Sequence, residues 1–131
     1  MNLFPITSIY AALAGLLLLV LAWRVVKVRR RERIGIGDGQ NRDLERRVRI
    51  HANAVEYVPI ALILLALAEA GGTPAWGMHA AGATLILARV LHAVGLTQSP
   101  GHSHGRFFGV LLTWLVILSL ALSLLLRPLL D

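Results

Sequence analysis

Apolar residues run along this chain in four stretches, each about as long as a bilayer is thick, and the polar residues collect between them. Met1 to Trp23, Ala70 to Ala88 and Phe107 to Leu126 contain no Asp, Glu, Lys or Arg, and a membrane-spanning helix needs about 20 such residues. A fourth stretch, His51 to Ala70, matches them except for two carboxylates, Glu56 and Glu69. The pattern predicts an all-α integral membrane bundle: one domain of four transmembrane helices at about 7–28, 43–70, 75–96 and 106–127, with a loop at 29–42. Pro5 suits a first helical turn. Pro59, inside the second span, predicts a kink near Val55 to Pro59 because its missing N–H breaks the hydrogen-bond ladder. Gly71-Gly72-Thr73-Pro74 reads as a tight turn, so helices 2 and 3 form an antiparallel hairpin. Ala11 and Gly15, four apart, are small enough to form a helix contact.

Composition agrees. Of 131 residues, 56% are hydrophobic and 15% charged, with mean hydropathy +0.69; soluble domains carry about 25% charge. Net charge is +6. Ten of the thirteen Lys and Arg lie between Arg24 and Arg49. Between two spans, such a cluster marks a cytoplasmic loop and suits anionic lipid headgroups rather than nucleic acid. The expected topology is therefore N-out and C-out; Arg106 in the second loop agrees, and Arg127 is an exception. The basic residues follow the first apolar run instead of preceding it, so that run is expected to stay as a helix and not to be removed as a signal peptide. With no cysteine, disulfides and thiolate chemistry of the protein's own are excluded. Ile34-Gly-Ile-Gly-Asp-Gly39 has neither a preceding strand nor a Lys-Ser/Thr ending, so it is read as a turn and not as a phosphate cradle.

The chemistry lies among the few polar groups near the spans. Arg46, Arg49, Asn53 and Glu56 are spaced 3, 4 and 3, one side of a helix. Glu56 lies about 10 Å deeper than Arg49. On the antiparallel helix 3, Arg89 is expected at the depth of Glu56, and His92 near Asn53. Two readings follow. In one, Glu56 and Arg89 form a buried pair that locks helices together. In the other, Arg49, Asn53, Glu56, His92 and Arg106 line a polar cavity open to the cytoplasmic interface, where guanidinium forks hold carboxylates and Glu56 holds an ammonium. His102 and His104, with no carboxylate beside them, are read as solvated, not as metal ligands. His79 and Glu69 are expected to meet at the outer interface, and His51 to cap or hydrogen-bond where helix 2 enters the membrane. Tyr10, Trp23, Phe107, Phe108 and Trp114 are read as interfacial anchors and lipid-facing packing. Thr113, Ser119 and Ser123 are expected to bond back to their own helix.

Glu45-Arg-Arg-Val-Arg49-Ile-His-Ala-Asn53-Ala-Val-Glu56-Tyr57-Val-Pro59 resembles the helix 2 signature of the MAPEG family, the membrane-associated proteins in eicosanoid and glutathione metabolism. Its ending is similar to that of leukotriene C synthase. Arg89-Val-Leu-His92 resembles the helix 3 pattern of microsomal prostaglandin E synthase, and Arg106 resembles the arginine that faces the glutathione sulfur in those enzymes. Ile34-Gly-Ile-Gly-Asp-Gly39 and Gly105-Arg-Phe-Phe-Gly109 are most similar to the bacterial branch. The resemblance implies a homotrimer in the bacterial inner membrane with glutathione at each subunit interface. By position, Arg49, Asn53, Glu56, Tyr57 and His92 would bind the tripeptide, with Arg30 or Arg31 contributing from a neighbouring subunit. Arg106 would stabilise the thiolate that attacks a lipophilic electrophile, as a transferase or peroxidase does. Leu96, Phe107 and Val110 depart from the polar residues of the eicosanoid enzymes, so the electrophile site differs from theirs. The family also has a non-catalytic branch, the five-lipoxygenase-activating protein. The alternative is therefore a non-catalytic trimer that binds lipid or a partner protein, with Glu56 and Arg89 as a structural pair.

Overall fold

The computed structural model describes residues 3–99, 101 and 103–129. Four α-helices follow in chain order: α1 (Pro5–Glu32), α2 (Arg42–Ala70), α3 (Ala75–Gln98) and α4 (His104–Leu126), the last continued by a 3₁₀ turn at Arg127–Leu129. Each is long and apolar enough to cross a membrane. No strand occurs among the described residues.

Helix α1 outruns its apolar stretch. Arg29 to Glu32, expected in the loop, are helical, because nothing from Val28 to Glu32 is a helix breaker and three arginines in the last turn complement the negative end of the helix dipole. The chain leaves the helix at Arg33, which is left-handed (φ 56°); the Ile34 N–H then bonds the Arg29 carbonyl at 3.0 Å. Arg29 also gathers the glycine loop, donating to the carbonyl of Gly37 at 2.8 Å and, at longer range, to those of Ile34 and Gly35. The loop thus turns carbonyls toward a cation, unlike a phosphate cradle, whose N–H groups face an anion. Asn41 starts α2: its Oδ1 accepts from the N–H groups of Asp43 and Leu44, each at 3.0 Å, a side-chain N-cap. Helix α2 continues unbroken through Pro59. The turn at Gly71–Pro74 reverses the chain into α3, with Gly72 at φ 83°.

Helices α3 and α4 pack so closely that their backbones touch. A Cβ on Gly109 would fall 2.6 Å from the Ala88 carbonyl oxygen and 2.7 Å from the Cβ of His92, and one on Gly95 would collide with the backbone nitrogen of Arg106. Such close approach, open only to small residues, is how helices gain contact area in lipid, which offers no hydrophobic force to drive them together. On this scaffold, Tyr10, Ala61, Leu65, Ala68, Met78, Leu85, Val116 and Leu120 fill the half nearer the α2–α3 turn. Leu21, Ile50, Ala54, Ala93 and Leu96 fill the half nearer the basic loop.

Polar contacts at the turn end go beyond those expected. Glu69 accepts from the backbone N–H groups of Ile6 (2.8 Å) and Thr7 (2.7 Å). It thereby satisfies two donors that the first turn of α1 cannot pair by itself. His79 lies near enough to Glu69 to interact with its charge, as expected, and its Nδ1 is also 2.9 Å from the Tyr10 phenol oxygen. Tyr10 is accordingly buried rather than an anchor. Ala14, not Gly15, forms the inward small position of α1; Gly15 has open space beside it. Thr113, Ser119 and Ser123 donate to the carbonyls of Gly109, Val116 and Leu120.

Candidate functional site

Helical geometry divides the α2 polar residues into two sets. At 3.6 residues per turn, Arg49 and Glu56 lie about 60° and 80° round the helix from Arg46, whereas Asn53 lies only about 20° away. The buried side of α2 carries Ile50, Ala54, Val58, Ala61 and Leu65. Asn53, at its edge, turns toward α3 and is half-buried, while Arg49 and Glu56 lie on the outward face and are exposed. This rotation separates Glu56 from Arg89, and the expected ion pair between them is not formed.

Arg89 is instead 2% exposed. It donates from Nη1 to Asn53 Oδ1 at 2.8 Å and from Nη2, more weakly at 3.4 Å, to the Gly109 carbonyl. Its guanidinium carbon stands 5.9 Å from the centre of the Tyr57 ring, within cation–π range. Its Nε has no partner among the described residues. Asn53, Tyr57, Arg89 and Gly109 thus form a knot joining α2, α3 and α4. His92, one turn along α3, is buried against Gly109.

Two cavities meet at the basic end. One, of ≈ 520 Å³, is lined by Arg42, Glu45, Arg46, Arg49, Leu96 and Arg106. It gathers four guanidinium groups and one carboxylate, a donor set for a small anion or zwitterion. The other, of ≈ 580 Å³, is lined by Gly101, Ser103, Arg106, Phe107, Val110, Leu111 and Trp114 and is mainly hydrocarbon. Arg106 belongs to both. Packing of Gly95 against the Arg106 backbone sets its position.

The structure therefore brings Arg49 and Arg106 to one cleft and leaves Asn53, Glu56, Tyr57 and His92 outside its lining. Arg30 is exposed at the end of α1, and Arg31 pairs with Glu32 at 2.6 Å and reaches Asp43 at 4.0 Å. Arg42 was not a candidate, although it extends the 46/49 spacing by one turn. Phe107 and Trp114, expected only as anchors, line the apolar groove. His51 lines a third, shallow groove with Ala12, Gly15, Leu16, Leu18, Leu19 and Ala22. His102 lies outside the described residues.

The family model of the MAPEG family matches residues 7–126, which takes in all four helices and both cavities. The chain belongs to the MAPEG family. The inner membrane protein YecN of Escherichia coli K12 is 35% identical over 123 residues, covering 90% of this chain and 88% of that protein; YecN of the Escherichia coli O6:H1 strain matches equally. Four spanning helices, the MAPEG match and an inner-membrane relative of nearly equal length make this chain an integral inner-membrane protein. Within this MAPEG chain the outward face of α2 is chemically odd. Glu56 is exposed there among Val55, Ile60, Ile63 and Leu67, in a stretch that otherwise suits lipid.

Proposed function

We propose that this chain binds glutathione in the arginine-lined cleft and delivers its thiolate to a lipophilic electrophile held in the neighbouring groove, as a transferase or peroxidase. The observation that carries this reading is the double membership of Arg106, which lines the polar cleft and the apolar groove together. A water-soluble anionic thiol and a membrane-dissolved partner would meet beside that guanidinium. Its charge favours the thiolate over the thiol, and the thiolate is the nucleophile. The thiol proton leaves to solvent, the sulfur lone pair forms the new bond, and the displaced electron pair ends on the electrophile's leaving atom. Arg42, Arg46 and Arg49 suit the two carboxylates of glutathione, and Glu45 suits its ammonium.

Exposed Glu56 supports a homotrimer. A carboxylate facing acyl chains is costly; a neighbouring subunit would cover it and bring it, with Asn53 and Tyr57, to the ligand. Arg30 would then approach from the neighbour's α1. The basic end faces the cytoplasm in this proposal, leaving both termini outside.

The hydrocarbon lining of the groove, where Ser103 and Arg106 are the polar members, also suits a second reading, a non-catalytic lipid-binding protein. Calorimetry with glutathione, with the purified protein in nanodiscs, tests the first. Saturable binding and an ultraviolet thiolate absorbance that Arg106→Ala abolishes are the expected results. Heat of dilution alone would overturn it, and a thermal shift with fatty acids but not with glutathione would favour the second.

A further inference from the structure

The basic end of α1 divides its cations into those with an internal task and those without. Arg29 holds the glycine loop. Arg31 pairs with Glu32, and Arg47 takes both oxygens of Asp43 at 3.1 Å, so these two carboxylates are engaged. Lys27 is exposed and makes no ion pair or hydrogen bond among the described residues. Arg24 donates from Nη2 to Thr97 Oγ1 at 3.0 Å, across the seam between α1 and α3. Thr97 gives its own proton to the Ala93 carbonyl at 2.6 Å. That partner is neutral: it fixes the position of the guanidinium and leaves its charge unmet. Two cations one turn apart, Arg24 and Lys27, thus lie side by side with no carboxylate paired to either.

Lys27 also ends an exposed row. Ile9, Leu13, Leu16, Val20, Trp23 and Lys27 follow at spacings of 4, 3, 4, 3 and 4, which keeps them within about 80° of the α1 circumference. All six are exposed. The row passes from hydrocarbon to indole to cation, in the order in which a bilayer passes from acyl chain to interface to headgroup. Lys27 lies one turn, about 6 Å, beyond Trp23, and Arg24 flanks both. We propose that this face of α1 holds one anionic phospholipid of the leaflet at the basic end. Its phosphate sits between Arg24 and Lys27, its glycerol region against Trp23, and an acyl chain lies along Val20 and Leu16. The cations select the occupant. A second copy of this chain packed in parallel on the same face would bring its own Arg24 and Lys27 to the same depth, like charge against like. A free phosphate would leave the apolar row uncovered. A lipid supplies the negative charge and the hydrocarbon at the depths where each is needed. Arg30 lies about 60° round the helix from Lys27 and takes no part in this site.

The test is native mass spectrometry of the full chain, stripped of lipid in detergent and titrated with phosphatidylglycerol or with phosphatidylcholine of the same acyl chains. One phosphatidylglycerol per chain is expected, bound at least about tenfold tighter than phosphatidylcholine. Lys27→Gln, at an exposed position without partners, is expected to fold as wild type does and to lose about fivefold of that preference, the scale of one cation at an anionic membrane surface. Arg24→Gln is expected to lose as much. Arg33→Asn removes a charge from the same end of α1, about 120° round from Lys27, at a left-handed residue that asparagine tolerates. It should leave the preference intact. Equal affinity for the two lipids, or a preference that Lys27→Gln leaves whole, would overturn the proposal. So would an equal loss in Arg33→Asn, which would mean a diffuse attraction to the basic end and no discrete site. Displacement of the lipid by inorganic phosphate at equal concentration would assign the cations to a free anion. A changed oligomeric mass in Lys27→Gln with lipid preference intact would assign the row to a second copy of this chain. Either result overturns the lipid site.

Discussion

Single side chains show how strongly burial changes the meaning of a charge. Arg89 and Arg49 are the same residue type, but one is enclosed by three helices and the other lines an open cleft. Arg89 has a half-buried amide, a carbonyl and a ring about it rather than a carboxylate, so its charge is compensated by dipoles. Arg49 is exposed, so its removal should leave the fold intact and affect only a ligand. Arg49→Gln is expected to melt within a degree or two of wild type, since surface substitutions usually change stability by under about 0.5 kcal/mol. It should weaken glutathione binding about tenfold, the scale of one lost charge-assisted contact of roughly 1.5 kcal/mol. Paired melting curves and calorimetry on this variant measure both effects.

Between elements, the decisive contacts are between backbones. Gly109 lets α4 approach within van der Waals range of Ala88 and His92, and the same approach carries Arg106 to the junction of the two cavities. Gly109→Val would set a branched side chain against a carbonyl that cannot move. An overpacking cost of about 1–3 kcal/mol is expected as a lowered melting temperature in detergent, together with loss of any Arg106-dependent activity. At the opposite end, Glu69 ties α2 to the first turn of α1 through two N–H groups. Glu69→Ala should cost about 1 kcal/mol, as lost helix caps do, and should raise hydrogen exchange at Ile6 and Thr7 selectively while leaving glutathione affinity unchanged. Equal protection of those two amides in the variant would show that the cap contributes nothing.

For the whole molecule, the outward face of α2 is where the proposed assembly is tested. An exposed Glu56 midway along a spanning helix belongs against protein, a ligand or water, not acyl chains. Native mass spectrometry from nanodiscs is expected to show three chains. A strictly monomeric mass would count against both the trimer and the shared ligand site, because Arg30 and Glu56 would then have no neighbouring subunit to reach.

Much of the fold was legible in the chain because hydrophobic length is a one-dimensional quantity. Four apolar stretches, a basic cluster and a Gly-Gly-Thr-Pro turn name the helices and their order, since lipid admits little else. The spacing of Arg46, Arg49, Asn53 and Glu56 likewise places them on one side of α2. That spacing could not say which edge of that side met α3. A shift of about 60° round a helix, set by how Ala54 and Ile50 pack, sent Asn53 to Arg89 and Glu56 outward. The sharing of Arg106 by two cavities was hidden for a related reason. It depends on Gly95 and Gly109 bringing α4 against α3, and close approach is a relation between distant residues. What a residue is and how deep it sits follow from local sequence. Which neighbour it faces follows from the rotation and spacing of whole helices, and these are settled only when every helix packs at once.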